Sequence, residues 1–100
     1  MSSNEKFHFY GYKTFINHKG IDEQRRVSIS GILCENNAIQ IGIAACSLSD
    51  QFVKKQGRGI STHRAINHPS KVINITPYVE GNEDTYARKQ FIIWCNNYCD

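Results

Sequence analysis

The first half of the chain carries a pattern of apolar and polar positions that predicts three consecutive strands. Lys6 to Ile16, KFHFYGYKTFI, is rich in the aromatic residues that favour strands. Residues 25–33, RRVSISGIL, place aliphatic residues on one face and serines on the other, and residues 38–46, AIQIGIAAC, alternate in the same way. Because a short connection containing asparagines joins these two alternating segments, they predict a β-hairpin.

A helix is predicted after the hairpin. Ser47 or Ser49 can accept a backbone N–H at its start, and Asp50 in the first turn suits the positive end of the helix dipole. The helical pattern continues to Ile66, and Pro69 disfavours helical geometry at the residue before it. The segment therefore predicts a helix that begins in SLSDQ and ends before NHPS.

The last third of the chain predicts a fourth strand and a second helix. KVINITPY, residues 71–78, is a strand ended by Pro77, and Asn82 can cap the helix that follows. The resulting order, β-β-β-α-β-α, predicts a single α+β domain over residues 1–100, with a mostly antiparallel sheet and two helices packed on one of its faces. The apolar residues that recur at helical spacing in the last helix are Ala87, Phe91, Trp94, Cys95 and Tyr98.

Composition is that of an ordinary folded domain. The hydrophobic content is 40% and the charged content 21%, so a disordered chain is not expected. One hundred residues can build only a small core, and association into a homo-oligomer is therefore a reasonable supplement to stability. The formal net charge of +3 is modest, but the acidic residues collect near the ends while the middle of the chain is cationic.

Neither a membrane anchor nor a secretory signal is expected. No apolar run approaches the roughly 20 residues that span a bilayer, and MSSNEKFHFY has no basic segment followed by an apolar one. In a reducing cytosol the four cysteines are thiols rather than disulfides. The pairs Cys95/Cys99 and His63/His68 have weak spacing for a zinc site, so neither a metal nor a cofactor is expected.

Residues 50–71, DQFVKKQGRGISTHRAINHPSK, are the most informative stretch. Lys54, Arg58 and Thr62 lie four residues apart and share one face of the predicted helix. Arginine matches phosphate oxygens with two parallel hydrogen bonds, so Arg58 and Arg64 are better phosphate ligands than the lysines. Two glycines flank Arg58 and leave bare backbone against which a ligand or another chain can pack. The alternative is a solvated basic face of an amphipathic helix.

The first strand adds aromatic rings to this picture. Alternation places Tyr10 and Tyr12 on the face opposite Phe7 and Phe9, so one set packs in the core and the other is available to stack on a base. Two arginines at the start of the second strand can add phosphate contacts or protect a strand edge. The predicted ligand-binding residues are Arg58, Arg64, Lys54, His63, Arg25, Arg26, Tyr10 and Tyr12.

Catalysis has weaker support. GRGIS matches neither of the glycine-rich loops that cradle phosphates. A ribonuclease-like pair of His63 and His68, assisted by Lys71 or Arg64, is chemically possible if both imidazoles face one phosphate. No paired carboxylates accompany the basic stretch, and no catalytic residue is assigned.

One family resemblance covers roughly residues 25–66. IQIGIAACSLSDQFVKKQGRGISTHRA resembles a pattern in small phage proteins, in which a strand gives way to C-S-x-x-D-x-F-x-K-K-x-G-R-x-I and an Arg-Ala finish. The family it resembles is the first type of phage Thoeris anti-defense sponge. The resemblance implies a homo-oligomer in the host cell cytoplasm that binds cyclic ADP-ribose isomers made by TIR-domain immune enzymes, in some members cyclic oligonucleotides, and leaves them intact.

Two other functions compete with sequestration of a cyclic nucleotide signal. A small nucleic-acid-binding module would use the same cations and aromatic rings, although a net charge of +3 is low for it. A protein–protein inhibitor of a host enzyme would present its basic face to an acidic partner, and exposed Trp or Tyr side chains on the last helix would favour it.

Overall fold

The sheet and helices follow the predicted order. A computed structural model describes residues 5–34, 38–46, 51, 53–75 and 83–100, without the side chains of residues 83–85. This part of the chain forms an α+β fold in the order β-β-β-α-β-α, which confirms the predicted class. No helix within it is long and apolar enough to cross a membrane. The elements are β1 Lys6–Ile16, β2 Asp22–Leu33, β3 Ala38–Ala45, α1 Lys54–Asn67, β4 Lys71–Asn74 and α2 Glu83–Tyr98.

The four strands form one antiparallel sheet in the order β1-β2-β3-β4. β1 pairs with β2 along its whole length, from Lys6 opposite Ile32 to Ile16 opposite Asp22. β2 and β3 pair from Val27 to Leu33, which confirms the predicted hairpin. The turn between β1 and β2 uses Gly20 at φ 79°, a left-handed conformation that glycine adopts without strain.

The prediction that both helices pack on one face of the sheet is wrong. Ser30 of β2 contacts Ser61 of α1, with 2.6 Å between the two Oγ atoms. A Cβ added to its neighbour Gly31 would lie 2.6 Å from the ring of Phe91 in α2. Because successive residues of a strand point to opposite faces, α1 and α2 cover opposite faces of the sheet. The serine face of β2 is buried as well as its aliphatic face, since Ser28 and Ser30 are both almost fully buried on the α1 side of the sheet.

The main hydrophobic core lies between the sheet and α2. Phe7 and Phe91 are almost fully buried, with ring centroids 5.6 Å apart. The predicted apolar face of the last helix is confirmed. Ala87, Phe91 and Cys95 lie inside this core, and Trp94 and Tyr98 pack against it. The buried members of the core are Phe7, Val27, Ile29, Ile39, Ile41, Ile75, Ala87, Phe91 and Cys95.

Two predicted boundaries differ from the structure. α1 begins at Lys54 with Val53 as an extended N-cap that makes no side-chain cap hydrogen bond, so the helix begins later than SLSDQ predicts. The proposed caps Ser47, Ser49 and Asp50, like Pro77 and Asn82, lie outside the described residues. The other end of α1 is confirmed to within one residue, and β4 ends at Asn74 within the predicted fourth strand.

Candidate ligand-binding groove

Small residues bring α1 close to the sheet. A Cβ added to Gly42 of β3 would lie 2.1 Å from the carbonyl oxygen of Ser61 and 2.3 Å from the backbone nitrogen of Ala65. Both α1 residues are completely buried. The helix backbone therefore rests almost directly on β3, and side chains flanking this line of contact are fixed relative to the sheet.

A cluster of hydroxyl groups fills the space between α1 and the sheet. Ser30 Oγ lies 2.6 Å from Ser61 Oγ and accepts a 3.1 Å hydrogen bond from Thr62 Oγ1. Ser61 Oγ is also within 3.3 Å of the Arg58 carbonyl oxygen. The third partner of Ser30 is Nδ1 of His8 in β1, at 3.0 Å. These contacts anchor the His8 ring to the middle of the sheet and leave its Nε2 on the other side of the ring.

A groove runs between this part of β1 and α1, with a volume of about 430 Å³ and an open mouth. Lys6, His8, Lys55, Arg58 and His63 give it three permanent positive charges and two imidazoles. None of the described residues that line it is acidic. We call this surface the basic groove; its lining is Lys6, His8, Lys55, Arg58, Gly59, Thr62, His63, Ile66 and Asn67.

Arg58 is held in the basic groove by the aromatic strand. Its guanidinium donates a 3.0 Å hydrogen bond to the hydroxyl of Tyr10. The ammonium of Lys54 lies 5.1 Å from the centroid of the same ring, within the range of a cation–π interaction. Tyr10 therefore positions two cations rather than offering a bare ring face, which differs from the stacking role predicted for it.

The second predicted tyrosine lies further along the same face of β1. Tyr12 is 46% exposed, and the guanidinium of Arg26 lies 5.4 Å from its ring centroid. Arg26 is the residue of β2 directly opposite Tyr12. This pair continues the row of cations and tyrosines away from the groove.

Two of the predicted ligand-binding arginines, Arg25 and Arg64, do not line the basic groove. Arg25 is on the α2 face of β2, where it forms a 3.1 Å ion pair with Glu23 and covers the ring of Phe15. Arg64 donates a 2.7 Å hydrogen bond to the carbonyl of Ile43, beyond the part of β3 that pairs with β4. Because successive residues of a strand point to opposite faces, Arg25 lies on the other face of the sheet from Arg26. Arg64 points away from Arg58 because the two residues lie on different sides of the helix.

The structure also identifies groove residues that the sequence interpretation left out. Lys6 and His8 share the α1 face of β1 with Tyr10, and the two-residue alternation of the strand would have found them. His63 lines the groove as predicted, but its imidazole shares that surface with His8 and not with His68, which follows the end of α1. The groove thus brings His63 together with His8, and His68 is not among its lining residues.

Electrostatics favour a neutral His8 in the basic groove. Partial burial lowers the pKa of His8 below its ordinary value of 6.5, and the nearby charges of Arg58 and Lys6 lower it further. An anion placed among these groups would act in the opposite direction. The basic groove thus concentrates positive potential and keeps one imidazole able to take up a proton.

The thiols do not contribute to this surface. None of the four cysteines forms a disulfide, and burial raises the pKa of Cys34, Cys95 and Cys99, which disfavours their thiolates. Within the described ranges there is no group of three or more His, Cys, Asp or Glu side chains that could hold a metal ion. The rings of Trp94 and Tyr98 stack on each other with centroids 5.2 Å apart and are only partly exposed.

Comparison of the chain with protein-family models, with curated proteins and with solved structures gave no match.

Proposed function

We propose that this protein binds a small nucleotide that carries phosphate groups, holds it in the basic groove and leaves it intact. The observation that carries the proposal is the concentration of Lys6, Lys55 and Arg58, with two imidazoles, around one groove whose described lining has no carboxylate. Such a surface attracts an anion and offers several charge-assisted donors to it.

The size and construction of the groove suit a ligand of this class. A volume of about 430 Å³ lies within the range of small-molecule sites, roughly 300–1,000 Å³. Tyr10 already orients Arg58, so less side-chain freedom is lost when a phosphate binds. Gly59 has open space where a Cβ would stand, and Ile66 supplies an apolar surface at 53% exposure. A base or sugar can therefore pack against backbone and apolar side chain while the phosphates contact the cations.

The family resemblance makes a cyclic ADP-ribose isomer the first ligand to test. On this proposal the protein acts in the host cytoplasm as an anti-defense sponge for the signal of a TIR-domain enzyme, and the homo-oligomer implied by the resemblance belongs to the same proposal. A pyrophosphate diester carries two negative charges, which the cations around Arg58 can neutralise. Sequestration requires only that the ligand stays bound.

A release experiment tests binding and integrity together. The protein is incubated with the product of a TIR-domain enzyme, freed of unbound small molecules by filtration, and heated to denaturation. Mass spectrometry of the released material should find the intact cyclic ADP-ribose isomer in proportion to protein. Recovery of a linear or hydrolysed product would identify an enzyme instead, and recovery of no nucleotide would contradict the proposal.

Two arginines of the same helix give a matched pair of variants. Arg58→Gln removes a groove cation, while Arg64→Gln removes the same charge from a side chain bound to the Ile43 carbonyl. Loss of a charge-assisted hydrogen bond is worth about 1.5–3 kcal/mol, so Arg58→Gln should weaken binding by about 10- to 150-fold. Arg64→Gln should change it by less than about threefold. Equal losses in both variants, measured by calorimetry on folded protein, would show that general charge and not the groove holds the ligand.

One observation favours a second function, binding of single-stranded nucleic acid. The tyrosines and cations continue past the groove along β1 through Tyr12 and Arg26, as a track for a longer anionic chain would. Affinity for an oligonucleotide would then fall steeply with salt concentration and would drop in Tyr12→Ala. A nucleotide held in the groove alone should be indifferent to Tyr12→Ala.

A further inference from the structure

We propose that His8 is a ligand contact of the basic groove that takes up a proton when a phosphate diester binds, with Ser30 and Ser61 as a hydroxyl relay that accommodates both charge states. The inference rests on the proposed function and specifies how the same site recognises its ligand. Its ligand class is an anion whose own charge is constant near neutral pH, such as a phosphodiester or a diesterified pyrophosphate.

The geometry of the hydroxyl cluster permits two complete hydrogen-bond arrangements. When His8 is neutral, the Ser30 hydroxyl donates to its Nδ1 at 3.0 Å, while Ser61 and Thr62 both donate to Ser30 Oγ. When His8 is protonated, Nδ1–H donates to Ser30, Ser30 donates to Ser61, and Ser61 donates to the carbonyl of Arg58. Only the hydroxyl hydrogens of Ser30 and Ser61 rotate between these states, so neither state leaves these buried hydroxyls without a partner.

The remaining nitrogen of His8 is the one available to a ligand. Because Nδ1 faces Ser30 inside the sheet–helix layer, Nε2 lies on the opposite side of a ring that lines the groove. Nε2 carries a hydrogen in both arrangements and can donate to a phosphate oxygen in each. The added proton comes from solvent and binds at Nδ1. The ring then carries a positive charge, so the hydrogen bond from Nε2 to the phosphate oxygen becomes charge-assisted.

The surroundings of His8 determine the direction of the effect. Its charged and titratable neighbours are Lys6 and Tyr10 on the same face of β1, and Lys55, Arg58 and His63 on α1, while β2 presents Ser30. These cations disfavour an imidazolium, and a bound anion would compensate them. Ligand binding should therefore raise the pKa of His8 and be accompanied by net proton uptake.

ADP-ribose is a suitable probe because its pyrophosphate is diesterified and does not titrate near neutral pH. Calorimetry in buffers with different ionisation enthalpies, between about pH 6 and 8, measures the protons taken up on binding. We expect up to about one proton, with affinity falling by up to about tenfold for each unit of rising pH. Titration of the histidine ring protons by NMR, with and without ADP-ribose, assigns the uptake to one residue.

His8→Gln and His63→Gln form the matched pair, since both residues line the groove and only His8 contacts Ser30. His8→Gln should bind ADP-ribose more weakly below pH 7 and lose the pH dependence, whereas His63→Gln should keep it. Ser30→Ala should shift the His8 titration without abolishing it, as expected of a positioning residue.

The outcomes separate this inference from the proposed function. Binding of ADP-ribose without proton uptake, or with an uptake that persists in His8→Gln, would overturn the role of His8 and leave the nucleotide site in place. Absence of ADP-ribose binding to the wild-type protein throughout this pH range would overturn the role of His8, whereas the release experiment with the product of a TIR-domain enzyme decides the proposed function separately.

Discussion

Replacing Gly42 by alanine should test the close packing on which the groove depends. The added Cβ would lie 2.1 Å from the Ser61 carbonyl oxygen and 2.3 Å from the Ala65 nitrogen. Both neighbours are helix backbone and no rotamer change can relieve the contact. Reaching even 3.0 Å from that oxygen requires the two backbones to separate by about 0.9 Å, and an ordinary contact requires more.

The magnitude follows from the cost of overpacking a buried site. Overpacking costs typically about 1–3 kcal/mol, and a clash with backbone lies at or above the upper end. For a domain of this size each kcal/mol shifts the melting temperature by about 4–8 °C, so Gly42→Ala should lower it by about 12 °C or more. Gly59→Ala is the control, because open space surrounds its Cβ and alanine favours a helix by about 0.8–1 kcal/mol.

Chemical denaturation of both variants, followed by circular dichroism, measures these differences directly. The control should be at least as stable as the wild type. A Gly42→Ala protein that folds should also bind nucleotide poorly, since any shift of α1 moves Arg58 and Thr62 relative to β1. A Gly42→Ala variant within about 0.5 kcal/mol of the wild type would refute the close approach of α1 to β3.

Two further predictions concern stability. The pKa of His8 in the folded protein lies below its ordinary 6.5, so the unfolded chain binds a proton at this imidazole more tightly than the folded chain does. The contribution of neutral His8 to the free energy of unfolding is therefore complete above about pH 6.5 and is lost as the pH falls through the lower folded-state pKa. Thermal unfolding of ligand-free protein between pH 7 and pH 5 should therefore show falling stability, with a shallower fall in His8→Gln, and an unchanged slope in that variant would contradict the assignment. On the α2 face of the sheet, Phe91→Ala should destabilise the protein by about 3–5 kcal/mol, because it removes a buried ring that packs against Phe7 and leaves a cavity. Ile93→Ala on the exposed side of the same helix should cost less than about 1 kcal/mol in the same denaturation assay.

Period-two alternation made much of the sheet predictable. β1 has the bounds read from its aromatic pattern, and the separation of Phe7 from Tyr10 and Tyr12 by face is as expected. Hydrophobic periodicity likewise identified the buried side of α2, including Phe91. These features are visible in a sequence because large apolar side chains mark the positions that face a core.

The placement of α1 was not predictable in the same way. Its buried residues are Ser61 and Ala65, and the sheet positions beneath it include Gly42 and Ser30, none of which stands out as core in a hydrophobic pattern. Helix α1 also leaves apolar side chains such as Ile66 exposed, so its polarity does not indicate which side is buried. Helical spacing separates Arg64 from Arg58, but without the sheet register it does not show which of the two arginines faces β1.

The two faces of the sheet bury different kinds of side chain, and this difference suggests a role for α1. An interface that served stability alone would bury large aliphatic or aromatic groups, as the α2 face does with Phe7 and Phe91. Apart from Ile32, the residues buried on the α1 face are serines, glycine and alanine, which contribute little apolar area. What these small residues permit is the approach of a polar helix to the sheet and a hydroxyl cluster beneath His8. The α1 layer thus fixes His8 and Arg58 across one groove, which supports the proposed binding function.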